Sequence, residues 1–434
     1  MSNSKKNIVN GSGRRDFLKK TAVVSAGLFG GANFAYAGGK DLLRVGLIGC
    51  GSRGTGAARN CINAAENVEL YAMGDLFPDR VDSSRNILGQ VLGERCNVSE
   101  DRCYSGFDAY KKVIQSDVDL VLLAAPPAFR PSHFEEAVLH NRHVFMEKPV
   151  AVDPTGVRSI HKTGRKAEEK GLSVMSGLQY RRQGNFIKAI NKIHSGYIGR
   201  PLSAHAQYFT GTVWYHERTS DMTEMEWRLR NWYYYNWLSG DFIVEQFVHN
   251  LDTIAWATGS MPLVCTGTGG RQVRIAPEFG NIYDHFSVLY EFPGGMKLST
   301  TCRQMDRTYR NVSNRIIGSN ASVMISPERT VVEWPYGEKR EIPRPDGDSA
   351  YQIQKKMLIE SIRNNQPVNE SAIVADATLI AIMGREAAYT GQQVTWDQIK
   401  ESPLELFPRK LDFSTPIDDP VAMPGSTQLD RTRL

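Results

Sequence analysis

The sequence predicts an α/β fold: a doubly wound parallel sheet followed by an α+β domain with a large open-faced, mostly antiparallel sheet. Near-continuous apolar runs such as Val118–Ala125 alternate with amphipathic stretches through the first 170 residues, the pattern of strands buried on both faces. A glycine-rich turn follows the first run. Beyond Gly199 the apolar segments alternate with polar residues, which is typical of strands with one solvated face.

The alternation of apolar and amphipathic segments predicts the strands and helices of the first domain in order. We predict strands at Leu42–Gly49, Val68–Gly74, Val118–Ala125, His143–Glu147 and Leu172–Ser176. Helical patterns lie between them, near Arg53–Asn63, Asp79–Leu92, Phe107–Gln115, Ser132–His140 and Pro154–Lys170. Alternation of this kind predicts parallel strands joined by crossover helices.

The second part combines longer strands with a few helices. We predict strands at Pro201–Phe209, Phe286–Phe292, Met296–Thr301, Asn314–Ile317 and Val331–Trp334, and helices at Asn185–His194, Ser349–Asn364 and Ile373–Tyr389. The proline-rich tail from Ser402 predicts an extended strap or a partly ordered end. The expected divisions are a targeting segment at 1–37, a nucleotide-binding domain at 38–170, a substrate-binding and oligomerisation domain at 171–370, and a C-terminal helix with its tail at 371–434.

The N-terminus predicts export. Residues 1–37 hold six basic residues and one acidic residue, which accounts for the net charge of +5 and leaves the remaining chain near neutrality. Ser12–Lys20 resembles a twin-arginine signal, followed by a Gly- and Ala-rich apolar run that ends in Ala35-Tyr36-Ala37, a small-x-small cleavage site. The run is too short and glycine-rich for a good membrane span. We therefore expect a periplasmic protein, cleaved near Ala37, without an integral span and without a nucleic-acid partner.

The glycine-rich turn predicts a dinucleotide site. Residues Gly49–Gly54 have the sequence Gly-Cys-Gly-Ser-Arg-Gly, which matches GxGxxG. The motif lies between a predicted strand and a predicted helix, and this position makes the match specific. A pyrophosphate would then lie on the helix N-terminus. Asp75 ends the second strand, where a carboxylate binds ribose hydroxyls and favours NAD, whereas nearby Arg80 keeps NADP possible. The predicted contacts here are Gly49, Gly51, Ser52, Arg53, Gly54, Asp75 and Arg80.

A second motif, Glu147-Lys148-Pro149, follows the fourth strand. It should lie at the carboxyl edge of the sheet, where open α/β folds bind ligands, and Lys148 would there stabilise negative charge on a substrate oxygen. Together with Gly49–Gly54, Ala125-Pro126-Pro127 and His133, this motif resembles the glucose–fructose oxidoreductase, inositol dehydrogenase and MocA (Gfo/Idh/MocA) family from about Leu43 to Trp396.

The resemblance implies roles for individual residues. Ala125, Pro126, His133, Glu147 and Lys148 would contact the cofactor, and the Lys148–Pro149 peptide would be cis. It also implies a homodimer or homotetramer formed through the open sheet.

The family's second motif, an acid followed by His and then Asp, matches Glu245, His249 and Asp252. Glu245 and His249 are four residues apart, so a helix would place both on one face. The resemblance implies that His249 is the general base, that Glu245 binds a neighbouring hydroxyl or tunes His249, and that Asp252 is structural.

An aromatic-rich stretch suggests the substrate. Trp214–Trp237 contains eight aromatic residues interleaved with polar ones, a mixture that suits the apolar face and the hydroxyls of a sugar. The same density is typical of a core or a dimer contact, and both alternatives stay open. The predicted substrate contacts are Tyr180, Arg182, Trp214, His216 and Trp232.

These patterns predict an NAD-dependent oxidoreductase that moves hydride between tightly bound NAD(H) and a sugar, glycoside or cyclitol. The alternatives are an NAD-dependent glycoside hydrolase of the α-N-acetylgalactosaminidase type, which uses transient oxidation, and a non-catalytic sugar-binding protein. The six cysteines show no CxxC or Cys/His cluster, so no metal site is predicted, although Cys96 and Cys103 could pair after export.

Overall fold

Six parallel strands form the first sheet, in the order β3-β2-β1-β4-β5-β6. The computed structural model describes residues 42–431 apart from 346, 348 and 409, so the predicted export signal lies outside the described residues. The strands are β1 Leu43–Ile48, β2 Val68–Asp75, β3 Cys103–Ser105, β4 Leu120–Leu123, β5 His143–Met146 and β6 Val174–Ser176. The order reverses between β1 and β4, and this point opens the crevice in which doubly wound sheets bind ligands.

Helices connect these strands, as the alternating pattern predicts. They are α1 Ser52–Ile62, α2 Pro78–Leu92, α3 Ala109–Gln115, α4 Arg130–Leu139 and α5 Pro154–Glu169. Every residue of β4 is buried, because helices cover both faces of the sheet.

The first domain extends beyond the predicted boundary at residue 170. Val174 in β6 pairs with Val144 in β5, so the returning strand completes the parallel sheet. Helix α11 (Ala350–Arg363) also returns to this domain, where Leu358 and Ile359 join the buried cluster that contains Val45. Apolar residues far apart in the sequence thus form one core. A domain boundary predicted from the local pattern of apolar residues leaves the distant segments out.

The second sheet has nine strands in the order β14-β13-β12-β11-β7-β10-β9-β8-β15. They are β7 Pro201–Thr210, β8 Val264–Gly270, β9 His285–Glu291, β10 Lys297–Gln304, β11 Asn311–Gly318, β12 Ser322–Ile325, β13 Thr330–Glu333, β14 Lys339–Ile342 and β15 Val394–Thr395. Strands β7 and β10 pair in parallel and the other neighbours are antiparallel. Burial alternates along β9, with Leu289 on the exposed face, which confirms the predicted open-faced sheet.

The remaining helices cover the other face of this sheet and the junction between the domains. They are α6 Gly184–His194, α7 Glu224–Arg230, α8 Asn236–Ser239, α9 Phe242–Glu245, α10 Val248–Thr258, α12 Ser371–Thr390 and α13 Trp396–Glu401. The tail after Ser402 is a strap: Leu404 and Leu406 are buried, and Leu406 donates its amide to Asp153 at 2.8 Å. None of the helices in the described ranges is both long and apolar enough to cross a bilayer.

Candidate active site

The glycine loop and Asp75 meet at the carboxyl ends of β1 and β2. Asp75 accepts hydrogen bonds from the amides of Cys50 at 2.6 Å and Phe77 at 3.0 Å. Burial raises the pKa of Asp75 above its usual value. The carboxylate is therefore fixed beside the loop, next to the exposed amides at the start of α1.

The space around two glycines shows whether the loop has room for a dinucleotide. A Cβ at Gly54 would lie 1.8 Å from the carbonyl oxygen of Gly49, so Gly54 is required by close packing of α1 against β1. A Cβ at Gly51 would meet nothing within 4 Å, because this backbone faces an open cleft. The cleft encloses about 850 Å³, a volume in the range of ligand and cofactor sites. The residues present therefore fit a bound dinucleotide.

Most of the predicted cofactor residues line this cleft together with three of the predicted substrate residues. The first wall comes from the parallel sheet and contributes Gly49, Gly51, Ser52, Arg53, Gly54, Asp75, Arg80, Ala125, Pro126 and His133. The facing wall comes from the second domain and contributes Trp214, His216 and Trp232. The structure thus places these three residues opposite the glycine loop.

His133 is part of the cleft wall as a neutral aromatic side chain. Its ring stacks on Tyr110 with centroids 4.1 Å apart. Burial, followed by the nearby charge of Arg130, lowers the pKa of His133 to about 3. His133 therefore supplies a flat uncharged surface across the physiological pH range.

Arg53 links the cleft to the Glu-Lys-Pro segment. Its Nη2 lies 2.5 Å and its Nε 2.7 Å from Oε1 of Glu147. Arg53 therefore lines the dinucleotide cleft while its guanidinium is bound to Glu147. Burial opposes ionisation of Glu147, but Arg53 and Lys355 outweigh it and hold the pKa of Glu147 below its usual value.

Lys148 reaches from the first domain to the second. Its Nζ donates to Oε1 of Glu245 at 3.2 Å and to the backbone carbonyl of Glu245. The Lys148–Pro149 peptide is cis, as the family resemblance implies. The ammonium and the carboxylate are both largely buried, so each acts in a medium where charges interact strongly.

Glu245 and His249 lie on two helices, which corrects the prediction of a single helix. Glu245 is the last residue of α9, and His249 is the second residue of α10. The amide of Phe247 bonds back to the carbonyl of Phe242, five residues earlier, and this wider turn interrupts the regular ladder. Both phenyl rings are fully buried, so tertiary packing overrides the local helical pattern.

His249 is buried beside Lys148 and Glu245. Burial, then the positive charges of Lys148 and Arg53, hold the pKa of His249 well below its usual value. Within the described part of the chain, neither Nδ1 of His249 nor Oε2 of Glu245 has a hydrogen-bond partner. A buried polar atom without a partner costs free energy, so these two atoms are suited to binding a polar ligand.

The other predicted residues near His249 differ in what they contact. Tyr180 lies with its ring centroid 5.0 Å from that of His249, beside the catalytic candidates. Arg182 is instead paired with Glu370 in the domain core, so its guanidinium is engaged away from a substrate. Asp252 binds Arg181 at 2.7 Å in a buried ion pair, in keeping with its expected structural role.

Lys355 has a place in this site that the sequence did not indicate. It is fully buried on α11, with its Nζ 3.0 Å from the ring centroid of Phe145 in β5. Burial lowers the pKa of Lys355 to about 7. Lysine on an amphipathic helix gives no local signal, because only the return of α11 to the first sheet buries it.

The described cysteines are all free, Cys96 and Cys103 included. Among the residues that the structure describes, no three His, Cys, Asp or Glu side chains are grouped to hold a metal ion.

Comparison with known families agrees with the fold. The family model described as "Oxidoreductase family, NAD-binding Rossmann fold" matches residues 43–178, and the model described as "GFO/IDH/MocA C-terminal domain" matches residues 186–324. The two matches together span more than half of the chain. The chain belongs to the Gfo/Idh/MocA family.

Curated relatives in this family fall into two groups. Glycosyl hydrolase family 109 protein 1 of Bacteroides fragilis is 32% identical over 131 residues, which are 30% of this chain and 27% of that protein. Inositol 2-dehydrogenase of Acidothermus cellulolyticus is 22% identical over 299 residues, which are 69% of this chain and 77% of that protein. The chain thus matches only about a quarter of the length of the first relative.

Solved structures share the fold over most of the chain. Aldose-aldose oxidoreductase from Caulobacter crescentus, complexed with glycerol, superposes with a TM-score of 0.65 at 19% identity and covers 82% of this chain and 99% of that chain. Scyllo-inositol dehydrogenase from Lactobacillus casei, with bound NAD(H) and scyllo-inositol, gives a TM-score of 0.63 at 18% identity with the same coverage. At these identities the similarity establishes the fold.

The two glycines of the loop predict a contrast between stability and cofactor binding. Gly51→Ala should change the free energy of unfolding by no more than about 0.5 kcal/mol, since its side chain meets open space. It should nevertheless weaken NAD binding by about tenfold or more, because the backbone there must approach the pyrophosphate. Gly54→Ala should instead destabilise the protein by about 1–3 kcal/mol through overpacking. Denaturant unfolding and calorimetric NAD titration of both variants would check this, and equal effects of the two substitutions on binding would contradict it.

The buried histidines predict resistance to protonation. Free histidine is about 90% protonated at pH 5.5, whereas His133 and His249 should both remain neutral there. The unfolded chain binds these protons below about pH 6.5 and the folded chain does not, so stability is retained above that pH and lost as the pH falls below it. Imidazole ¹⁵N resonances, assigned with His133→Phe and His249→Gln, would measure this. Signals that titrate near pH 6.5 would contradict the buried geometry.

Proposed function

We propose that this protein is an NAD-dependent oxidoreductase that moves hydride between bound NAD(H) and a hydroxyl-bearing carbon of a sugar, glycoside or cyclitol. The observation that carries the proposal is the convergence of Lys148, Glu245 and His249 beyond the dinucleotide cleft, at the carboxyl edge of the parallel sheet. The matched inositol 2-dehydrogenase and the cyclitol-bound and glycerol-bound neighbours support a polyol substrate.

The three side chains divide the work on the substrate. The imidazole of His249, held neutral, accepts the hydroxyl proton. The ammonium of Lys148 stabilises negative charge on the same oxygen, and Oε2 of Glu245 accepts a hydrogen bond from a neighbouring hydroxyl. A bound nicotinamide would supply the acceptor for the hydride that leaves the carbon. Burial of these groups excludes water and strengthens each of these interactions.

NAD is the proposed cofactor in preference to NADP. The carboxylate of Asp75 lies beside the glycine loop, where it would bind the ribose hydroxyls and disfavour a 2′-phosphate. Arg80 lines the same cleft, so NADP remains the alternative to be compared in binding experiments.

A redox-assisted glycoside hydrolase is the second candidate function. The similarity to glycosyl hydrolase family 109 proteins favours it. Such a reaction would consist of transient oxidation of a sugar hydroxyl, elimination of the glycosidic bond, addition of water and re-reduction, with a bound nicotinamide cofactor supplying the hydride acceptor and donor. Lys148 and His249 would serve the oxidation step in both reactions, so product analysis must separate them.

The first experiment identifies the nucleotide and the product together. Nucleotide released from the purified, denatured protein is identified, and native protein is incubated with glucosides, galactosides and cyclitols. We expect bound NAD(H) and a product two mass units lighter than its substrate, the loss of one hydride and one proton, in an amount that the bound NAD⁺ limits when no second carbonyl substrate is supplied. A freed aglycone without net oxidation would instead establish the glycoside hydrolase. Absence of both nucleotide and turnover would leave a sugar-binding protein.

Variants test the assigned residues in the same assay. Lys148→Ala and His249→Ala should lower kcat by about 100-fold or more, the usual effect of removing a positioned proton-transfer or charge-stabilising group. Lys188→Ala, at an exposed lysine on α6, is the matched control and should retain wild-type kcat. Wild-type turnover by the Lys148 or His249 variant would refute these roles.

We further propose export through the twin-arginine route, supported by the order of the arginine pair, apolar run and cleavage site in residues 12–37. Replacing Arg14 and Arg15 together with lysine should retain the precursor inside the cell and prevent cleavage near Ala37. Fractionation and N-terminal sequencing would measure this. Unchanged secretion of the double variant would refute the route.

A further inference from the structure

One wall of the dinucleotide cleft belongs to the second domain, although the glycine loop belongs to the first. Trp214, His216, Arg230 and Trp232 line the same cleft as the loop. The ring centroids of Trp214 and Trp232 are 5.8 Å apart, and those of Trp214 and His216 are 5.1 Å apart. These rings form one continuous surface, which we call the aromatic wall.

The aromatic wall lies at the ribose end of the cleft that Asp75 marks. His216 lines the cleft together with Arg80 and Arg230, and Arg230 lies over the ring of Phe77, two residues after Asp75. Arg80 stands at the start of α2, just after the strand that carries Asp75. In a dinucleotide bound to a GxGxxG loop, this carboxylate meets the adenosine ribose. The wall therefore faces the adenosine half.

An ion pair between Arg230 and Asp79 joins the aromatic wall to the first domain. Both terminal nitrogens of Arg230 reach Asp79 at 3.1 Å, and its Nε reaches Glu226 at 3.1 Å. The same guanidinium lies over the ring of Phe77 at 3.9 Å from the centroid. Arg230 is thus fixed by three contacts, two of them in the first domain.

The C-terminal tail contacts residues next to the Arg230–Asp79 pair. The ring of Phe413 packs 5.1 Å from that of Phe107 and 6.4 Å from that of Phe77, and both partners line the cleft. Asp419 binds Arg228 of α7 at 2.9 Å. The tail therefore supports both the first domain and the helix that carries Arg230.

We propose that the aromatic wall and the Arg230–Asp79 pair close over the adenosine half of the bound dinucleotide, so that the cofactor is retained between turnovers. The inference rests on the proposed function and adds a role for residues whose aromatic character alone suggested a sugar site. Flat aromatic rings stack on adenine. The aromatic wall and the Arg230–Asp79 pair, which we together call the clasp, must move apart before the nucleotide leaves. A retained cofactor also requires that each hydride taken from one hydroxyl be returned to a carbonyl of the same or a second substrate.

Release of NADH from the full chain tests the proposal. The protein is loaded with NADH and mixed with excess NAD⁺, and the decay of energy transfer from tryptophan to NADH gives the release rate. An exposed ion pair contributes up to about 1 kcal/mol, so Asp79→Asn should speed release by about threefold to fivefold. Arg230→Ala also loses the contact with Phe77, and about tenfold faster release is expected.

A matched control removes an exposed ion pair elsewhere. Glu291 binds Lys297 at 2.6 Å on the second sheet, and Glu291→Gln should retain the wild-type release rate. Equal release from wild type, Asp79→Asn and Arg230→Ala would overturn the clasp while leaving NAD as the cofactor. Failure of the wild-type protein itself to bind NADH would overturn both the clasp and the proposed function.

Discussion

A buried guanidinium on α12 holds the two halves of the active site together. Arg385 is fully buried and donates to the carbonyl of Val152 at 2.8 Å and to that of Gly240 at 2.9 Å, with Glu386 as its counter-ion. A buried charge is costly unless it is paired and hydrogen-bonded, so both carbonyls are held in place. Val152 lies four residues after Lys148 and Gly240 five residues before Glu245. Arg385 thus joins the backbone that follows Lys148 to the backbone that precedes Glu245.

The charges around the site follow from this arrangement. Arg53, Lys148 and Lys355 lie near Glu147, and Lys148 also pairs with Glu245. Such an environment stabilises negative charge on a bound oxygen, which assists removal of a hydroxyl proton, and it keeps His249 unprotonated before the reaction, although as a weaker base. Lys355 contributes from the far side of β5 without a direct ion pair to the substrate region. The fold thus sets the basicity of His249 through residues that are distant in sequence.

The sequence correctly predicted the features that depend on residues close together in the chain. The buried strands and the loop at Gly49–Gly54 are found where expected, because apolar runs and the glycine spacing encode them directly. The break between Glu245 and His249 was missed, since it arises from buried packing of Phe242 and Phe247. The pairing of Arg182 with Glu370 was missed for the same reason: its partner is distant in the chain and carries no motif.

The aromatic wall shows why residue type alone does not assign a ligand. A flat ring beside polar groups suits a pyranose and an adenine equally, so the composition of Trp214–Trp237 supported a sugar. Location decides between them: Trp214 and His216 face Asp75 and Arg80 across one cleft, whereas His249 and Lys148 lie beyond Arg53. If the proposed function holds, the sugar would be recognised near Tyr180 and Glu245, with fewer aromatic rings and more buried polar atoms. Recognition of that kind selects hydroxyl geometry more than ring stacking, because an analogue that lacks one hydroxyl leaves a buried group unpaired.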